Sequence, residues 1–267
     1  MIFAHDIAIN GESLSDVDDR IIVQGVNLDA AKVSTSVTTA YGRPGQRITG
    51  RRRDTLDVSV SFGIRLKKNR MEERAELFEE VARWAMQAED GAWITVGHRP
   101  ERRLRARLES LPAEGDMWQW TNSYTVTFRA YAVPYWQDVK KNSITRTGIT
   151  TTSQQLGVAG TDKTVLDIEY TNTGSGACDT LTINTGIASF SFASLGCAAG
   201  EKLIIDHTED GVLRIRIHNS TNGYRSAMDK RTAASSDDLW IRPGTPTVAI
   251  TAAKSGTIVM GTYGRYA

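Results

Sequence analysis

Between Asp54 and Leu66 the chain alternates. Leu56, Val58, Val60, Phe62, Ile64 and Leu66 are apolar, and Asp57, Ser59, Ser61, Gly63 and Arg65 fall between them. Successive side chains of a strand point to opposite faces, so this segment is predicted as a strand with one dry and one wet face. At about 3.3 Å per residue its apolar stretch spans roughly 36 Å, longer than the usual strand of about 5–6 residues. A helical period follows in NRMEERAELFEEVARWAMQAEDG. Met71, Ala75, Phe78, Val81, Ala82 and Ala85 share one stripe, which Leu77 and Trp84 widen. Asn69 is the expected N-cap, Glu72 its capping-box partner and Gly91 the stop.

Short strands surround this unit. Asn10-Gly11 after IAI suits a tight hairpin turn. RIIVQGVNL (20–28) reads as a strand broken by Gly25, and residues 41–46 around Pro44 read as a loop. RITGRRR is expected to pair with 54–66, giving a long hairpin over 47–66. AWITVGH, RRLRARLESL and MWQWTNSYTVTFRAYAV supply further strands, in which Leu104, Ala106 and Leu108 alternate with arginines. Trp118, Trp120, Tyr124, Val126, Phe128 and Ala130 occupy even positions. Strands, one helix and then strands predict an α+β unit in which the helix covers a sheet. Its core candidates are Leu56, Val58, Val60, Phe62, Phe78, Val81, Trp118, Trp120 and Phe128.

Residues 140–155, KKNSITRTGITTTSQQ, carry neither period and are read as the boundary between a first domain (1–141) and a second (142–267). Beyond them TVLDIEYTNTG, DTLTINTG, ASFSFASL, EKLIIDH, GVLRIRIHN, DDLWIRPG, TPTVAITAA and GTIVMGTYG read as short strands of a β-sandwich, with a hairpin turn at Glu209-Asp210-Gly211.

Composition narrows the function. The 267 residues carry 32 Lys plus Arg against 31 Asp plus Glu, so net charge gives no reason to bind nucleic acid or an anionic membrane. No apolar run approaches the ~20 residues that span a bilayer, and the first residues lack a secretion-signal pattern. Cys178 and Cys197 are read as reduced, buried thiols, with a disulfide between them as the alternative. Asp16, Asp18 and Asp19 do not make a calcium loop, because Arg20 would stand at a ligand position and Asn27 at the closing one. The four histidines show no ligand spacing. Asp206, His207, Glu209 and Asp210 read as a polar turn. There is no phosphate-binding loop at Lys163-Thr164 and no nucleophile elbow. Arginines at 51–53 and at 99, 102, 103, 105 and 107 are read as a wet sheet face or an intersubunit surface rather than a phosphate contact. No enzyme, cofactor or metal site is expected.

The order of features resembles the distal tail proteins (Dit) of long-tailed, non-contractile bacteriophages. The features are IAINGESL, RITGRRRDTLDVSVSFGI, the helix ending in ARW before GAWITV, the W-x-W-x-x-S-Y-x-V-T-F strand ending in VPYW, DLWIRPGTPTVAIT and the closing VMGTYGRY. This resemblance implies a tail-tube-like amino-terminal domain that builds a sixfold ring and a galectin-like carboxy-terminal β-sandwich projecting outward. It also implies a place in the virion at the tail tip, after assembly in the host cytoplasm. The implied partners are further copies of the chain (a hexamer), the tail-tube protein, the tail-associated hub protein, receptor-binding proteins at the periphery, and DNA only in transit through the channel. Galectin sugar ligands are not expected, since His218-Asn219 lacks the proline and arginine that should follow.

A long strand edge is a liability in a monomer, and pairing it with a neighbour removes the liability. The expected intersubunit residues are therefore Arg51, Arg53, Asp57, Ser59, Ser61 and Arg65. The rival readings are a carbohydrate-binding adhesin that uses Trp240, and a tail-tube subunit with an added outer domain.

Overall fold

The computed structural model describes residues 5–30, 33–39, 45–66, 71–112 and 123–267. The expected cap Asn69, loop residues 41–44, Trp118 and Trp120 lie outside them, as do the side chains of Arg51 and Met71. The chain divides into two compact units, residues 1–136 with 267, and residues 137–266. The fold is mainly β, with one α-helix among the described residues.

The first unit contains β1 (Ile7–Ile9), β2 (Glu12–Ser13), β3 (Ile21–Leu28), β4 (Val33–Thr38), β5 (Arg47–Arg53), β6 (Leu56–Ile64), α1 (Met71–Met86), β7 (Ala92–Val96), β8 (Arg102–Ser110) and β9 (Tyr124–Ala130). Its main sheet is antiparallel throughout, in the order β2–β1–β7–β8–β9–β6–β3. Asn10 and Gly11 both take positive φ, 50° and 94°, as the two-residue turn joining β1 to β2 requires. Gly25 marks a bulge, where the β3–β6 register shifts between Val23 and Gly25.

The alternation in β6 translates directly into burial. Leu56, Val58, Val60, Phe62 and Ile64 are at most 2% exposed, while Asp57, Ser59 and Ser61 are half-buried on the other face. Helix α1 lies on the dry face. Phe78 meets Tyr124 edge-on at 5.1 Å, and Trp84 meets Phe128 edge-on at 5.9 Å. Leu77, Val81, Trp84 and Ala85 are buried, and the Trp84 indole N–H donates to the Glu12 carbonyl at 3.0 Å. Phe78 is half-buried. After Met86 the chain tightens through successive i→i+3 bonds up to Gly91, whose φ of +102° turns it away from the helix.

One expected pairing is overturned. The 47–53 strand does not pair with 54–66. β5 pairs with β4, and β6 is an interior strand between β3 and β9. Adjacency in sequence suggested a hairpin, but Asp54 and Thr55 continue β5 into β6 on one side of a longer ribbon instead of reversing the chain.

The second unit holds most of β10 (Trp136–Asp138), then β11 (Asn142–Gln155), β12 (Thr164–Val165), β13 (Asp167–Asn172), β14 (Leu181–Asn184), β15 (Ser189–Phe192), β16 (Lys202–His207), β17 (Leu213–Asn219), β18 (Gly223–Ser226), β19 (Trp240–Ile241), β20 (Thr247–Thr262) and β21 (Arg265–Tyr266). The sheet order is β15–β14–β20–β13–β16–β17–β18, with β11 also on β20. Two expectations change here. Residues 142–155 form a strand rather than a structureless linker, because their backbone bonds follow β20 from Thr262 back to Thr247. TPTVAITAA and GTIVMGTYG form one continuous 16-residue strand.

Close packing around β20 gives a sharp test. A Cβ on Gly256 would sit 2.1 Å from the Tyr170 ring and 2.7 Å from the Thr171 carbonyl. Tyr170 is fully buried and its hydroxyl is tied to the Lys254 carbonyl at 2.8 Å, so the ring has nowhere to go. Gly256→Ala is expected to lower stability by about 2–3 kcal/mol, read as a fall in melting temperature. An unchanged melt would mean that β20 and β13 are not packed this closely.

Glu209 and Asp210 lie in the expected turn between β16 and β17, whereas Asp206 and His207 belong to β16 and to two separate ion-pair clusters. Asp206 faces Arg214 and Arg216 across the β16–β17 ladder, at 2.7 and 2.8 Å. His207 is buried between Asp167 and Asp238, at 3.0 and 2.8 Å. Burial pushes the His207 pKa down, but hydrogen bonds that the ring donates to both carboxylates outweigh it and raise the pKa from 6.5 to about 9. A group raised in the folded state stabilises fully below its unfolded pKa and loses that contribution as pH rises through the folded value. Glu201 acts at the other end. Arg225, Asn219 and the Ala198 N–H hold it down to about 2, so its contribution is present above its unfolded 4.5 and lost as pH falls towards 2. Thermal melts should therefore be flat from about pH 5 to 6.5 and decline above it, by on the order of 2–3 kcal/mol near pH 10. His207→Gln should remove the decline between about pH 6.5 and 9 and leave only the loss above pH 9 that the raised Cys197 thiol brings. A decline that persists between about pH 6.5 and 9 in that variant would assign it to another group.

Candidate interaction surface

Among the described residues the ribbon of β4 and β5 is a two-stranded sheet separate from the main sheet of the first unit. From Leu28 opposite Val58 to Val33 opposite Arg53, four residues intervene on each side. The Asp29 N–H donates to the Asp57 carbonyl at 3.1 Å across this gap. Pairing of β4 with β5 thus resumes the β3–β6 register and carries the ribbon beyond the sheet as an arm. Among the described residues β4 and β5 pair only with each other. Most of their described residues are exposed, including Val33, Val37 and Ile48 at 53, 47 and 50%. Val37 and Ile48 stand directly opposite one another, next to a bulge where the Thr49 hydroxyl donates to the Ser36 carbonyl.

The local sequence explains this shape. VSTSVT is β-branched and favours extension, but it has no dry face to bury. A two-stranded ribbon is marginal in water by itself, and its outer edges present unpaired backbone groups. Val37 and Ile48 add an apolar pair with no cover from the arm itself.

The base of the arm is charged. Asp29, Ala30, Ser34, Arg52, Asp54 and Arg129 belong to the lining of an open cleft there. The Ser34 hydroxyl donates to Asp54, and Arg52 stands 3.5 Å from the same carboxylate. Arg129 forks onto Asp57 at 2.7 and 2.9 Å and reaches Glu109 at 2.6 Å. Asp57 first, with Tyr131 and Glu109, holds the Arg129 guanidinium above its ordinary pKa. Glu109 also accepts from the Tyr131 hydroxyl and raises that phenol.

The residues proposed from sequence separate across this surface. Arg53 lies at the arm's base with its guanidinium 5.4 Å from the Tyr135 ring centroid. Asp57, Ser59 and Ser61 lie on the wet face of the interior strand β6. There Asp57 meets Arg129, Ser59 stands opposite Asn27 and Thr127, and the Ser61 hydroxyl is 3.2 Å from that of Thr125. Arg65 is exposed beyond the end of β6, and its N–H donates to the Arg20 carbonyl at 2.8 Å. The reason given for them, an open edge on residues 54–66, does not hold for β6, because both its edges are bonded. Among the described residues β4 and β5 are each paired on one side only, as are the end strands β2 and β3 of the main sheet. Sequence reasoning missed β4 because an all-polar and β-branched run carries no face signal, although β-branching was a usable hint.

Trp240 is no open platform. It is half-buried, with Lys163 4.5 Å and Arg265 5.5 Å from its ring centroid. Among the described residues no helix is long and apolar enough to cross a membrane, and no group of three metal-ligating side chains converges.

No protein-family model and no curated protein matches the sequence. Solved structures do match the fold. The Dit protein of phage SPP1, described as a paradigm of the hub adsorption apparatus in phages that infect Gram-positive bacteria, aligns over 97% of this chain and 98% of its own, with a TM-score of 0.66 and 16% identity. A chain of the phage P2 baseplate in its activated, calcium-containing conformation aligns over 97% of both chains, with a TM-score of 0.51 and 6% identity. The chain thus has a Dit-like, β-rich fold along essentially its whole length.

Proposed function

We propose that this chain is a non-enzymatic virion protein of a phage tail tip, whose copies close into a ring, a hexamer, between the tail tube and the hub and adsorption apparatus. The observation that carries this reading is the full-length likeness to SPP1 Dit, and the uncovered arm agrees with it. The arm of one copy adds to the sheet or apolar surface of the next, with Val37 and Ile48 as anchors. One patch meeting a different patch is a heterologous contact, which generates a ring when its rotation closes. The first domain, residues 1–141 as read from the sequence, forms the ring. The second is a galectin-like sandwich facing outward, available to receptor-binding proteins. Arg53 and the wet face of β6 at Asp57, Ser59 and Ser61 complete the intersubunit surface together with Arg51 and Arg65. DNA passes only through the channel.

Negative-stain imaging with light scattering of the purified chain tests this. Six-membered discs are expected. Long helical tubes would favour a tail-tube subunit carrying an outer domain. A monomer at every concentration, together with no labelling of a virion tip by antibodies, would overturn the proposal.

A further inference from the structure

We propose that Cys178 and Cys197 form a redox-closed clasp at the base of the β14–β15 hairpin. They are the chain's two cysteines, and they stand opposite one another in an antiparallel bridge. The Cys178 N–H donates to the Cys197 carbonyl at 2.8 Å, and the Cys197 N–H donates back to the Cys178 carbonyl at 3.2 Å. A pair that exchanges both bonds holds its Cα atoms about 5.5 Å apart, within the range of about 4.4–6.8 Å that a disulfide spans. Directly opposed residues also turn their side chains to the same face, and both side chains are fully buried in one apolar core.

The position gives the bond a purpose. The hairpin ladder runs from Asn184 opposite Ser189 to Leu181 opposite Phe192, and the Leu195 N–H continues it to the Asp179 carbonyl at 2.9 Å. The cysteines follow at the open end. β15 is the last strand of its sheet, paired with β14 on one side and bonded on the other only to the irregular 230–236 segment, where the Thr232 and Ser236 N–H groups donate to the Ser191 and Ser189 carbonyls at 2.8 Å. A covalent link at the base closes the loop that contains the hairpin and limits the excursions of its two ends in the unfolded chain.

In this structure both are thiols. Cys178 donates to the Thr180 carbonyl at 3.3 Å, and Cys197 donates to the Glu201 carbonyl at 3.6 Å. Burial pushes the Cys197 thiol up to about 12, so little nucleophilic thiolate exists at neutral pH. Closure therefore waits on opening of the hairpin base. Oxidised glutathione, a small disulfide, is a sufficient oxidant. One cysteine loses its proton to solvent, attacks a glutathione sulfur and forms a mixed disulfide, releasing one glutathione as a thiolate that takes up a proton. The second cysteine, likewise deprotonated, attacks the protein sulfur of that mixed disulfide. The Cys178–Cys197 bond forms and the second glutathione leaves. Two protein thiols are oxidised, and one disulfide is reduced to two thiols. Under the tail-tip reading the clasp would be open in a reducing cytoplasm and closed after release, but its chemistry does not depend on that reading.

The test uses the native full-length chain incubated with oxidised glutathione, with aliquots quenched in acid, unfolded, alkylated and weighed. The expected product has lost the mass of two hydrogens, carries no glutathione, yields a peptide linking Cys178 to Cys197, and melts several degrees higher until a reductant is added. Closure should accelerate as pH rises. Two alkylatable thiols persisting after exposure at alkaline pH would overturn the proposal, as would glutathione retained on both cysteines or a covalent dimer between chains. A rise in melting temperature that survives in the C178S/C197S variant would remove the stabilising role. The mass measurement needs only the wild-type chain, so it decides the matter even where the variant does not fold.

Discussion

Val60→Asp is expected to leave no cooperatively folded protein. Val60 is fully buried in β6, between Val26 of β3 and Val126 of β9. A carboxylate there has no ion-pair partner among these apolar neighbours, and burying it costs several kcal/mol in addition to the lost valine packing. Whole domains are stable by only about 5–15 kcal/mol, so one such change consumes most of that margin. Phe62→Asp should do the same, because Phe62 packs against Phe78 and Tyr124 at ring separations of 6.3 and 5.5 Å. Ser61→Asp is the control. It places the same charge one residue away on the half-buried polar face, and it should give soluble protein with a melt close to wild type. Circular dichroism and soluble yield distinguish the two outcomes. A folded Val60→Asp protein would mean that the faces of β6 are reversed.

The second large effect separates assembly from folding. Val37 and Ile48 are about half exposed and sit on an arm that contributes little to its own unit's core. The double variant Val37→Asp/Ile48→Asp should therefore fold, with a melting temperature near wild type. Its self-association should weaken by a factor of about 10³ or more, because central apolar anchors of an interface each carry about 2 kcal/mol or more. Light scattering reads this directly as a fall from ring mass to chain mass. Rings of wild-type stability in this variant would remove the arm from the contact. Misfolding of the variant would instead show that the arm packs against its own chain.

The legibility of this protein follows a physical divide. The dry face of β6, the strands β7 to β9, the Asn10-Gly11 turn and the body of α1 were readable, because each is written in a local period or a backbone requirement carried by adjacent residues. β4 was unreadable. VSTSVT buries neither face, so its pairing follows from register alone, and register is set by the β3–β6 ladder beneath it. Residues 142–155 were unreadable for a related reason, since a polar strand is recognised only through the partner that takes up its backbone bonds. His207 lay in a polar run, and its partners Asp167 and Asp238 come from two other segments.

The order of amino acids alone determined which residues must leave water: a mainly β chain with one amphipathic helix and a strand whose even positions are apolar. Burial follows side-chain chemistry at each position, so it can be inferred without knowing any partner. Only the tertiary structure decided which strands bond to which, and hence that β6 is paired on both sides while β4 and β5 pair only with each other among the described residues. It alone brought Cys178 opposite Cys197 and closed two aspartates around His207. Hydrogen bonds between distant segments depend on where the chain returns, and no local period encodes that return.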